Sequence, residues 1–81
     1  MKTMRIGSSI VNLERMYDLN CVKHKDGTVV RVEYARSIKE YLVPGFFVPE
    51  VVATAIQRGL NGEDDSFDLM EGLATFMEVL E

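Results

Sequence analysis

Cys21 and His24 are the residues whose types most readily do chemistry. A thiolate and an imidazole can serve as nucleophile and base, or as two ligands of a zinc ion. They sit at an odd and an even position of an extended run, which places them on opposite faces of a strand. No nucleophile–base pair and no ligand pair forms that way, and Cys21 reads as a small core hydrophobe. The acidic run Glu63-Asp64-Asp65-Ser66-Phe67-Asp68 gathers carboxylates. It lacks the alternating ligands, the glycine and the terminal glutamate of a calcium loop. Glu40 and Glu50 flank the apolar segment Tyr41–Val48, but their spacing does not pair them for acid–base work. Gly7-Ser8-Ser9 has neither the glycine spacing nor the lysine of a phosphate loop. No residue set therefore qualifies as a catalytic, cofactor-binding or metal site, and a non-enzymatic protein is expected.

Charge is the stronger signal. Residues 1–37 hold seven Lys/Arg against four acidic residues, whereas residues 38–81 hold two against nine, so +3 is followed by −7. Such asymmetry bears on association and steering. The basic half contains Arg5, Arg15, Lys23, Lys25, Arg31 and Arg36 with Tyr17 and Tyr34. Both tyrosines are expected on the core face, which removes the stacking platform that single strands require. An acidic chain is also repelled by phosphates, so direct nucleic-acid binding is not expected.

The elements that must position these residues begin with a hairpin. Asp26-Gly27 is a strong turn signal. A two-residue loop there pairs Lys25 with Thr28, Leu19 with Tyr34 and Cys21 with Val32, with Tyr17 and Val30 continuing the same face. Asn20, His24, Arg31 and Glu33 fall on the other face, with Val22 as an apolar exception. "TMRIGSSIV" reads as one strand or two short ones, expected to pair with this hairpin, and "NLERM" as a helical turn capped by Asn12. Ser37 and Glu40 have capping-box spacing, so "SIKEYL" predicts about one helical turn before Val43-Pro44 forces extension.

Pro49 suits the first position of a helix running to about Leu60, with Val48, Val52, Ala55, Ile56 and Leu60 on one stripe and Asn61-Gly62 ending it. A second helix starts in the acidic run, capped by Asp65 or Ser66. Leu69, Leu73, Phe76 and Leu80 follow helical spacing, and Gly72 is expected to permit close approach. The expected architecture is a single α+β domain over residues 1–81. An antiparallel sheet of three or more strands in the N-terminal half is packed on one face by two C-terminal α-helices.

A chain of 81 residues is short for a self-sufficient core. One cysteine allows no internal disulfide, so association is the remaining reinforcement. Phe46, Phe47, Val48, Met70 and Met77 are the expected homodimer interface, because aromatics and methionine are enriched at interface cores. Glu63, Asp64, Asp65, Asp68 and Glu71 are the expected face for a protein partner with a basic surface. In being short, acidic and free of motifs, the chain resembles small phage-encoded inhibitors, including anti-CRISPR proteins. That likeness implies an acidic surface occupying the basic groove of a nucleic-acid-handling machine. The alternative is a structural or accessory subunit that self-assembles by basic-sheet to acidic-helix contacts. The lone thiol, the absence of a signal-peptide pattern and the absence of a membrane-length apolar run lead to a cytoplasmic expectation with no membrane partner.

Overall fold

A computed structural model describes residues 2–45 and 47–80, with side chains through Thr75. The chain folds as α+β: two three-stranded sheets come chiefly from the N-terminal half, and two helices follow.

The first sheet starts with β1 (Thr3–Ile6) and β2 (Ser9–Asn12), an antiparallel hairpin with Ile6 opposite Ser9. Gly7 has φ +61° and Ser8 does not share the positive φ, the pattern of a type II′ turn, whose twist matches that of the strands. β2 ends where the Asn12 side chain accepts the Glu14 N–H at 2.9 Å. Asn12 thus caps a turn of the kind short polar side chains favour, in place of the expected helical turn.

The second sheet contains β3 (Asp18–His24), β4 (Gly27–Glu33) and β5 (Ile38–Pro44), all antiparallel, with β4 central. The hairpin register differs from expectation by two residues: His24 faces Gly27, Cys21 faces Val30 and Leu19 faces Val32. A shift of two keeps every side chain on its face, so Leu19, Cys21, Val30 and Val32 still point to the core. Gly27 explains the shift. Its φ of +153° belongs to a region that side chains avoid, and a Cβ there would overlap the Val43 carbonyl oxygen of β5. The glycine serves strand contact, and the loop is Lys25-Asp26, closed by the Asp26 N–H donating to His24 Nδ1 at 3.1 Å. Tyr17 falls just before the strand and is 77% exposed, a correction to its assignment to the core face. Tyr34 is half-buried and donates its hydroxyl to the Asn12 carbonyl at 2.7 Å, tying the two sheets together.

"SIKEYL" is strand, not helix. β4 buries Thr28, Val30 and Val32, and it is flanked on both sides only if Ile38–Pro44 extends alongside it. Pro44 is tolerated because β5 is an edge strand.

Helix α1 (Pro49–Asn61) has proline in its first turn and buries Val52, Ala55 and Ile56 against both sheets. It stops at Gly62, whose backbone is extended. Residues Ser66–Asp68 then form β6, which pairs parallel with β1, Phe67 lying beside Met4. The N-terminal strands therefore pair with β6 and not with the β3–β4 hairpin, a further correction. Helix α2 (Leu69–Leu80) follows directly, burying Leu69 and Leu73. Its cap is Asp68, whose Oδ1 accepts the N–H groups of Met70 (2.9 Å) and Glu71 (3.4 Å). Asp65 and Ser66 cannot serve because Ser66–Asp68 is strand and α2 begins only at Leu69. Close helix approach occurs at Gly59, where any Cβ would overlap the Phe67 ring. At Gly72 a Cβ would stand 4.0 Å from that of Ala55, an ordinary contact. Among the described residues, no helix is long and apolar enough to cross a membrane.

Candidate functional site

The acidic run comes together in space through backbone constraints. Gly62 to Asp65 form the connection from α1 to β6, and all four residues are exposed. Lys2, at the other end of the chain, donates its ammonium to the carbonyls of Gly62 (3.1 Å) and Asp64. With the Thr3 N–H on the Asp65 carbonyl, these bonds pin the loop to the start of β1. The carbonyls satisfy the lysine, and the carboxylates of Glu63, Asp64 and Asp65 are left to solvent. Asp68 is half-buried because it caps α2, and Glu71 stands exposed one turn further on.

Beside this loop lies an open groove of about 710 Å³. One wall is the face of the first sheet that looks away from the core, where Ile10, Arg5 and Asp68 form a row across β2, β1 and β6. The other wall is Glu71, Gly72 and Thr75 of α2, and Asp64 and Phe67 also line the groove. Ile10 is 66% exposed, an apolar side chain presented to solvent inside an otherwise polar site. Three carboxylates and one guanidinium line the groove, so it favours a cationic occupant with some apolar surface. Arg5, Thr3 and Ile10 were not grouped with the acidic run in the sequence. Only the parallel pairing of β6 with β1 brings them together.

Three of the five expected dimer residues have described side chains. Phe47 is half-buried against the core, and its carbonyl accepts the Thr28 hydroxyl at 2.8 Å. Met70 is likewise partly buried, whereas Val48 is 51% exposed just before α1. Phe46 and the Met77 side chain lie outside the described residues.

Cys21 is half-buried on the core side of β3, and burial pushes its thiol pKa up, which disfavours the nucleophilic thiolate. His24 is exposed at the hairpin end, its Nδ1 accepting the Asp26 N–H and lying 3.9 Å from Asp26 Oδ2. The two do not converge. Among the described residues, no three His, Cys, Asp or Glu side chains gather as a metal-ligand set. Comparisons with protein-family models, with curated proteins and with solved structures found no match for this chain.

Proposed function

We propose that the protein is a non-enzymatic interaction module whose acidic loop and adjoining groove receive a basic, partly apolar segment of a protein partner. The observation that carries this reading is the groove itself: Asp64, Asp68 and Glu71 around exposed Ile10, beside a loop whose three carboxylates are displayed by the Lys2 clamp. Complementary potentials of this kind speed encounter and set orientation, and they weaken as salt rises. Basic surfaces of this type are what nucleic-acid-handling proteins present to phosphates, so an inhibitor that takes the place of nucleic acid fits the same geometry. A lone free thiol is in keeping with a cytoplasmic setting.

Affinity capture from the native host, read by mass spectrometry, identifies the partner. Glu63→Lys, Asp64→Lys and Asp65→Lys together should abolish its recovery, and added salt should do so progressively for the unaltered chain. Equal recovery by the charge-reversed chain would rule the reading out. The competing reading is head-to-tail assembly. It draws on exposed Lys23 and Lys39 on the second sheet, Lys25 in its hairpin loop, and the acidic loop beside the first sheet. It predicts a salt-sensitive ladder of oligomers in sedimentation, where the first reading predicts none.

A further inference from the structure

The groove on the first sheet is not uniformly acidic. Register places Arg5 between Ile10 on β2 and Asp68 on β6, so apolar, cationic and anionic side chains follow in that order, one strand spacing of about 4.8 Å at a time. Glu71 continues the anionic end onto α2. Opposite charges lining one groove would be expected to pair. Nevertheless, the exposed Arg5 guanidinium makes no ion pair and no hydrogen bond with any described residue. Its neighbour in the row is committed elsewhere, because Asp68 Oδ1 accepts the Met70 and Glu71 N–H groups at the head of α2. The groove therefore keeps its positive and negative charges apart.

A guanidinium offers five N–H donors and no acceptor. Water serves those donors while the groove is open. An occupant that covers Ile10 and reaches Asp68 displaces that water, and a covered donor without an acceptor is costly. A uniformly basic segment brings no acceptor and sets like charge against like. Given that the groove is the seat of a partner's segment, as proposed above, we infer that Arg5 selects segments in which an acidic residue stands between an apolar residue and basic ones. The apolar side chain lies over Ile10, and the carboxylate takes two parallel N–H···O bonds from Arg5. The basic end meets Asp68, Glu71 and Asp64. Alternate side chains of an extended segment are about 6.6 Å apart, so three of them span about 13 Å. That length carries the segment from Ile10 past Asp68, about 10 Å away by strand spacing, to the α2 wall. The acidic loop supplies attraction at long range, and Arg5 supplies discrimination between basic segments.

Calorimetric titration of the full chain at low salt tests this with three peptides, acetylated and amidated at their ends. The first is Leu-Ser-Asp-Ser-Lys-Lys, the second has serine in place of the aspartate, and the third is the isomer Asp-Ser-Leu-Ser-Lys-Lys. Attraction by net charge alone favours the serine peptide, which carries more positive charge. Selection by Arg5 reverses that order: the first peptide should bind at least about tenfold tighter than either of the others. Arg5→Ala should erase the preference and Arg5→Glu should turn it toward the serine peptide, with thermal melting confirming that both variants fold. Equal or tighter binding of the serine peptide or the isomer overturns the role of Arg5 and leaves the groove as a seat for basic segments in general. A preference that Arg5→Ala leaves unchanged does the same. Absence of binding by all three up to about 1 mM overturns the inference together with the groove as the partner's seat.

Discussion

Two glycines and a tyrosine show how single residues are constrained by contacts far away in sequence. Gly59→Ala drives a methyl into the Phe67 ring, and overpacking of this kind costs about 1–3 kcal/mol. Chemical denaturation should register that loss, and Phe67→Leu in the same chain should recover part of it. Gly27→Ala should be worse, because the obstacle is the Val43 backbone, which cannot rotate aside. Tyr34 loses its bond to the Asn12 carbonyl in Tyr34→Phe, for about 1 kcal/mol. Burial, with the neighbouring Tyr41 adding to it, raises the Tyr34 pKa. The unfolded chain therefore releases this proton first as pH climbs. Stability from Tyr34 is full below the ordinary tyrosine value of about 10 and is lost as pH rises through the higher folded value. A melting curve that falls no faster for the native chain than for Tyr34→Phe above that pH would contradict the assignment.

At the scale of elements, the start of α2 depends on one carboxylate. Asp68→Ala should lower stability by about 1 kcal/mol, while Asp65→Ala and Ser66→Ala should change it little, and a urea series over the three variants separates them. Helix α1 was legible because Pro49, its apolar stripe and Asn61-Gly62 all agree on the same boundaries. The β3–β4 hairpin was legible in its faces, and its register was missed because Gly27 answers to Val43 on a third strand. β5 was hidden behind the capping-box spacing of Ser37 and Glu40, a local signal that lost to the hydrogen bonds offered by β4. β6 is three residues long, too short for any periodicity, and exists only because β1 lies alongside. The acidic half of the groove could be read directly from Glu63 to Glu71. The wall made by Arg5 and Ile10 could not, since nothing local joins residue 5 to residue 68.

For the molecule as a whole, α1 is the element both sheets share, with Val52, Ala55 and Ile56 buried in one continuous core alongside Met4, Val11, Val30 and Val43. A domain this small has a net stability of only about 3–5 kcal/mol. Ile56→Ala, at about 2–5 kcal/mol, should leave much of the population unfolded. Hydrogen exchange should show protection lost in β1 and β4 together, since neither sheet has a core of its own. Selective loss in one sheet would mean that the two halves fold independently.

The parallel pairing of β1 with β6 also orders events during synthesis. On the ribosome the first hairpin emerges with one edge bare, and the strand that completes it is made only after β3, β4, β5 and α1. Until then the backbone of β1 is an open template for any other nascent strand nearby, and Lys2 has no loop to hold. Closure of the first sheet is thus a late, long-range step, and the groove comes into being with it.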